Sequence, residues 1–402
     1  MKQKLSCLII STSSSMYGRD VFLVPYYIGK IFGYEVSYVY HGIKGEDPFI
    51  NKGVKFIPLS YRGSYEAFSF RGEWYLLIYA FLKAKEIDCL LRFHFSYQTI
   101  LMAIIYKLRN PKGLFLIKGD GLGLWNSLFR TEAQLPWQRS RNQNSFVVKL
   151  KNRLIRGILN IGVYFSDIVT IETMKDYMYL KTQPVFEKYP NKLVRMLNGI
   201  DEEAINKYGI KDLPFEEKEN WIILVGRHGS YEKNTQMSLR ALENIDLKDW
   251  HVFYIGPVSE EFDSVIRDFC DRNPQWTDKV HFVGAIYDQA RLWSYFNKAK
   301  VFVHTSLIES YGIVLAEAYR FGDYILSTDV GVASEFINYG YGSIVKQDDS
   351  NELRDKLNQI IRGDIDLSVL YHETHREPLS WESEIRKLSS YITDRKYKSD
   401  II

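Results

Sequence analysis

Short apolar runs alternate along the whole chain with longer stretches whose apolar positions recur at helical spacing. In the first half the runs Leu5–Ile10, Glu35–Tyr40, Val54–Leu59, Cys89–Phe93, Leu114–Ile117 and Ile168–Ile171 predict strands. Several are apolar throughout, as strands covered on both faces must be. Trp74–Lys85 and Thr99–Leu108 read as amphipathic helices between them. The pattern then restarts with strands Trp221–Val225, His251–Ile255, Val280–Val283, Val301–His304 and Tyr324–Ser327. Helices Thr235–Asn244, Glu260–Arg272, Gln289–Asn297 and Ile313–Phe321 fill the gaps. Such alternation predicts an α/β protein with parallel sheets and right-handed crossovers.

A chain of 402 residues exceeds what one core accommodates, since cores stop growing near about 250–300 residues. The expected organisation is two Rossmann-like, doubly wound parallel-sheet domains facing across a cleft. The seam is expected near Asn198-Gly199-Ile200-Asp201, where the strand-like KLVRML meets a turn signal. This gives a first domain over 1–197, joined by a terminal helical segment in 381–402, and a second domain over 198–380. Ligands of open α/β sheets sit beyond the carboxyl ends of the strands.

Charge and composition narrow the function. Lys and Arg (52) nearly balance Asp and Glu (49), for a net charge of +3, so nucleic acid is not the expected partner. Three scattered cysteines, Cys7, Cys89 and Cys270, are read as core residues and suggest neither a disulfide scaffold nor a cysteine zinc site. LSCLII near the start reads as a first strand rather than a leader, and no window reaches membrane-span length. The expected location is cytoplasmic, peripheral on the inner face of the cell membrane.

Candidate chemistry concentrates in three segments of the second half. TSLIESYGIVLAEAYRFG places Glu309 at a helix mouth and Glu317 inside an apolar helix, where a carboxylate needs a partner. IILVGRHGSYEKN carries Arg227 and Lys233 beside a strand–loop–helix junction, with Asn234 positioned to cap the helix. STDVGVASEF offers the backbone amides of Gly331 and Val332 to an anion. The bland alternatives are a helix cap and a buried carboxylate for the two acids, and a surface pair with Glu232 for the cations. His304 reads as structural.

Together these segments resemble the family-4 retaining glycosyltransferases of the GT-B fold, the glycosyl transferases group 1. The resemblance rests on NGID at the seam, VGR…EKN, VHFVGAI, the E-x7-E spacing of Glu309 and Glu317, STDVGVASE, and Ser380-Trp381 before the last helix. It implies that Arg227, Lys233, Gly331 and Val332 hold the diphosphate of a nucleotide-sugar donor. It implies further that Glu309 grips the donor sugar, Glu317 the ribose, and backbone near Gly284 and Ile286 the base. No metal or other cofactor is implied; fixed cations and dipoles would stabilise the leaving group.

The first half departs from that family. Its loop after the first strand, STSSSMYGRD, keeps only Gly18, with Arg19 beside it, to meet donor and acceptor. Where many members have a histidine, LFLIKGDGLG has Asp120, and His94 in LLRFHF competes for the same role. Asp120 reads equally as a turn residue and His94 as a core histidine. Trp125 and Trp137 would stack on a sugar or simply pack. Between Glu132 and Asp167 there is no acid, and residues 139–161 read as a basic amphipathic helix that either rests on an anionic membrane or packs on its own domain.

The resemblance implies transfer of a hexose-type sugar, with retention and by front-face attack, to a glycan or lipid-linked acceptor of bacterial surface-polysaccharide biosynthesis. A sugar-nucleotide epimerase or phosphorylase of the same architecture, or a degenerate nucleotide-sugar-binding scaffold, are the competing readings.

Overall fold

A computed structural model describes residues 2–9, 14–42, 46–60, 70–120, 146–243, 245–368 and 379–393. The chain forms two compact units, Met1–Gly199 with Trp381–Ile402, and Ile200–Ser380.

In the first unit the strands are β1 (Lys4–Ile9), β2 (Glu35–Gly42), β3 (Phe49–Asn51), β4 (Val54–Ser60), β5 (Cys89–Phe93), β6 (Leu114–Lys118), β7 (Ile168–Ile171) and β8 (Leu193–Arg195). They form one sheet in the order β3-β4-β2-β1-β5-β6-β7-β8, parallel except where the short β3 runs against β4. Every residue of β5 and β6 is buried, which explains their unbroken apolar runs. Helix α1 (Asp20–Phe32) covers one face. On the other face lie α2 (Phe70–Lys83), α3 (Tyr97–Arg109) and α4 (Phe146–Phe165).

Helix α1 contains Pro25, which has no N–H to offer the Val21 carbonyl. The Tyr38 hydroxyl, from β2, donates to that carbonyl instead. Sheet packing therefore repairs a local defect that would otherwise weaken the helix.

The second unit has a six-stranded parallel sheet of β9 (Trp221–Val225), β10 (His251–Ile255), β11 (Val280–Gly284), β12 (Val301–His304), β13 (Tyr324–Ser327) and β14 (Gly342–Ile344). Their order is β11-β10-β9-β12-β13-β14. Its helices include α5 (Thr235–Leu242), α6 (Glu260–Arg272), α7 (Gln289–Lys298), α8 (Ile313–Phe321), the short α9 (Ala333–Phe336) and α10 (Ser350–Arg362). In each sheet the order reverses once near the middle, between β1 and β5 and between β9 and β12. Loops diverge at such a switch and leave a crevice at the carboxyl ends.

The amino ends of the second sheet are tied by one ammonium. Lys218 is fully buried and donates to Asp323 Oδ1 (2.8 Å) and to the carbonyls of Ala299 (2.7 Å), Phe321 (2.8 Å) and Phe296 (3.3 Å). Helix α11 (Trp381–Arg386) returns to the first unit and packs on α1. Trp381, Ile385, Leu388 and Ile392 join that unit's core, and Glu384 Oε2 accepts from Leu197 N–H at 2.8 Å.

Cys7 and Cys89 lie in the core, but Cys270, expected there too, is exposed on the polar side of α6. Among the described residues no helix is long and apolar enough to cross a membrane.

Candidate active site

The second unit builds its site at the β9–β12 switch. The loop after β9 brings Arg227 and Lys233, the loop after β12 brings Glu309, and the turn after β13 brings Gly331. Lys233 Nζ forms an ion pair with Glu309 Oε1. The same oxygen accepts from Ser306 Oγ at 3.1 Å and lies 3.2 Å from His304 Nε2. The two loops are also stitched by Thr305 Oγ1 to the Lys233 carbonyl (3.0 Å) and Leu307 N–H to the Glu232 carbonyl (2.8 Å). Lys233 thus pairs across the switch rather than with its neighbour Glu232.

Burial alone would push the Glu309 carboxyl up, but His304 and Lys233 outweigh it and hold the group at about 2. It is a fixed anion at neutral pH. Burial pushes His304 below its ordinary value in spite of Glu309, which favours the neutral imidazole. Arg227 is exposed, and no carboxylate among the described residues pairs with it.

The β13 turn comes up against this pair. Gly331 has φ +53°, and a Cβ there would lie 2.2 Å from the Tyr311 carbonyl oxygen and 3.2 Å from Glu309 Cβ. Only glycine lets the two backbones approach so closely. The Gly331 N–H makes no hydrogen bond to a described residue. Val332 corrects an expectation: its amide, assigned to a phosphate, donates to the Tyr311 carbonyl at 2.9 Å, and its side chain is buried. Asn234 does not cap α5 through its side chain either. It sits in the left-handed region (φ 45°) and its Nδ2 donates to Asp348 Oδ1 at 2.7 Å.

Glu317 lies one helix deeper, on the buried side of α8. Its Oε1 accepts from Trp293 Nε1 (2.8 Å) and Gln289 Nε2 (2.9 Å), both on α7. Burial pushes its carboxyl up to about 7 against the pull of those two donors. Oε2 accepts no hydrogen bond from a described residue. Strand β11 ends at Gly284 (φ +76°), the loop after it holds a half-buried Ile286 and leads into helix α7, and Asp288 caps that helix through Ala290 N–H at 2.9 Å. The segment assigned to the base is thereby tied to the residue assigned to the ribose.

In the first unit the two competing residues turn out to be partners. Parallel pairing sets Phe93 opposite Lys118, so the residues beyond β5 and β6 meet. His94 Nδ1 lies 3.1 Å from Asp120 Oδ2. His94 is not a core histidine: its side chain is 60% exposed and its φ is +62°, an uncommon backbone for a side chain of this size. The Asp120 hydrogen bond, opposed by burial, raises its pKa. Asp120 Oδ1 is buried and accepts no hydrogen bond from a described residue. Gly18 and Arg19 are both exposed between β1 and α1, and a Cβ on Gly18 would meet nothing within 4 Å. No close approach requires glycine there. Trp125, Trp137 and residues 139–145 lie outside the described residues.

Residues 209–376 match the family model of the glycosyl transferases group 1. That stretch of the second unit is similar to the glycosyl transferases group 1. In the fission yeast Schizosaccharomyces pombe, the gpi3 subunit of phosphatidylinositol N-acetylglucosaminyltransferase is 29% identical over 108 residues, a match that takes in 26% of this chain and 23% of that protein. Among solved structures, sucrose-phosphate synthase from Thermosynechococcus elongatus superposes with a TM-score of 0.64 at 16% identity, covering 99% of this chain and 100% of that one. HepE of Anabaena in complex with UDP gives 0.57 at 14% identity, covering 99% of each. With the two parallel sheets, these likenesses make the fold GT-B.

Within the second unit, sequence reasoning missed His304 as a neighbour of Glu309. Its place as the last residue of β12, at the carboxyl end of a central strand, was the available signal. In the first unit it missed the buried pair of Lys118 Nζ and Glu172 Oε1 (2.5 Å), which Asn198 Nδ2 joins at 2.9 Å. A lysine closing the apolar run LFLIK was the hint.

The raised pKa of Glu317 has a testable sign. The folded protein holds the proton up to about pH 7 while the unfolded chain releases it near its ordinary 4.5, so stability falls as pH rises across that window. Glu317→Gln is expected to lack this fall, opening a gap of at most about 3 kcal/mol in favour of the variant above pH 7. Paired thermal melts from pH 4 to 8 measure it, and parallel curves would refute the assignment.

Proposed function

We propose that the protein transfers a hexose-type sugar, with retention and without a metal ion, from a UDP-type nucleotide sugar to a hydroxyl of a lipid-linked glycan acceptor. The observation that carries this reading is the Lys233–Glu309 pair at the sheet switch, with the Gly331 amide and the Arg227 guanidinium left to a ligand. Arg227, Lys233 and the Gly331 N–H would take the diphosphate, Glu309 the sugar hydroxyls and Glu317 Oε2 a ribose hydroxyl. The acceptor oxygen bonds to the anomeric carbon as the bond to the diphosphate oxygen breaks. The electron pair leaves with the diphosphate, which takes the acceptor proton on the same face. Fixed positive charge beside that oxygen lowers the barrier because it strengthens as the leaving group forms.

The His94–Asp120 pair would orient the acceptor. Its raised pKa favours the imidazolium, a hydrogen-bond donor rather than a base. The lipid acceptor is supported by the yeast relative, named for transfer to phosphatidylinositol, and the UDP donor by the likeness to a protein bound to UDP. Work at the cytoplasmic face of a membrane in surface-glycan synthesis, with α4 as the contact, follows from such an acceptor.

Thermal-shift titration with a panel of nucleotide diphosphate sugars tests the donor site, since a ligand that binds only the folded state raises the melting temperature. One UDP sugar is expected to stabilise the protein, and Arg227→Ala to weaken that effect about tenfold or more. Incubation with this donor alone should release the free sugar slowly. A changed sugar still attached to its nucleotide would instead identify an epimerase, and binding without turnover a scaffold.

A further inference from the structure

Helices α2, α3 and α4 lie side by side, α2 on α3 and α3 on α4. Each buries one face in the first unit's core, through Leu76, Leu77 and Ala80, through Ala103 and Tyr106, and through Leu159 and Val163. Helical spacing puts a second apolar stripe opposite each buried one. On α2 it includes Trp74, Ile78 and Leu82; on α3, Leu101 and Leu108; on α4, Leu150, Leu154 and Ile161. Leu82, Leu108 and Leu154 remain 64%, 69% and 61% exposed. Three neighbouring apolar stripes exceed the scatter of single exposed residues ordinary on a surface.

The charge on these helices is one-sided. Their only acid is Glu73, which is buried and held by Arg92 at 2.9 Å. Arg153 and Arg156 are exposed on α4, and Arg109 of α3 lies over the Phe81 ring of α2 at 4.6 Å. A second copy of the chain would set arginine against arginine. A surface of apolar chains edged with negative groups complements both features.

We infer that the outer faces of α2, α3 and α4 together form a docking platform for an anionic lipid bilayer, with the leucine stripes entering the headgroup boundary and the arginines meeting lipid phosphates. This extends the single-helix contact proposed above and rests on it. Interfacial binding scales with buried apolar area plus attraction to anionic lipid, and the electrostatic part weakens with salt. Trp74, exposed at the amino end of α2, suits the headgroup level.

The full chain is to be sedimented with vesicles of phosphatidylglycerol and phosphatidylcholine in equal parts, and with phosphatidylcholine alone. Binding to the anionic vesicles that declines with salt is expected. Ile78→Glu with Leu108→Glu, which leaves α4 untouched, is expected to weaken it at least about tenfold, as is Leu154→Glu by itself. Each variant should keep the wild-type circular dichroism and melting temperature. If only Leu154→Glu weakens binding, the three-helix platform is wrong while the single-helix contact stands. If the wild type binds neither vesicle, both fall and the donor site is untouched. A dimer dissolved by Ile78→Glu would make the face a subunit seam and overturn the inference.

Discussion

Lys233→Ala is expected to slow sugar transfer by about 10²–10³-fold while changing donor affinity far less. The argument begins with the ion pair. In the free protein the Lys233 charge is balanced by Glu309, and both side chains are less than one-fifth exposed. Under the proposed reading, a donor diphosphate would bring new negative charge to the lysine, and Glu309 would be released to the sugar hydroxyls. As the sugar departed, negative charge on the leaving oxygen would grow, and the ammonium would gain most at that moment. Lys233→Ala therefore removes stabilisation of the transition state above all. It also takes away one of the two neighbours that hold Glu309 low, so that carboxyl should titrate higher in the variant. Steady-state kinetics of the variant, with kcat and KM separated, measures the effect. A rate within about threefold of wild type would remove Lys233 from the reaction.

Lys218→Met is expected to destabilise the second unit by about 3–5 kcal/mol without entering the chemistry. The ammonium is completely enclosed and satisfies three carbonyls besides Asp323. Methionine fills much of the same volume but leaves the Asp323 carboxylate buried without its counter-ion. Lys218→Met combined with Asp323→Leu should recover part of the loss, because the buried charge goes with its partner. Urea unfolding followed by tryptophan fluorescence gives the comparison. A double variant no better than the single one would show that the carbonyl contacts, rather than the charge pair, carry the stability.

How much of this was legible beforehand depended on whether a signal was local. Helix α8 was found with both boundaries because glycines at 312 and 322 flank it, each in the left-handed region. The central strands β5, β7, β9, β10, β12 and β13 matched their apolar runs for the same local reason. Helix α1 was overlooked, since Pro25 and a nearly continuous apolar sequence hide its periodicity. Helix α10 was overlooked although Asp349 caps it through Glu352 N–H at 3.0 Å, a cap the spacing Asp-x-x-Glu advertises. Strand β14 has no apolar run to read; three half-buried residues add to the sheet edge through pairing with β13.

The site divided along the same line. Glu309 and Glu317 stood out from their own neighbours, whereas the union of His94 with Asp120 needed strand pairing to bring distant positions together. The Val332 amide was misread because its acceptor, the Tyr311 carbonyl, belongs to another loop.

The return of α11 to the first unit fixes a schedule for synthesis. The ribosome must release the entire second unit before Trp381, Ile385 and Ile392 emerge to finish a core begun with β1. The inserted unit, continuous in sequence, is free to fold first, and the amino-terminal unit waits with a greasy seam open beside α1. Nascent chains halted before residue 381 would hold one finished body and one unfinished, which makes that interval the period when chaperones have most to guard.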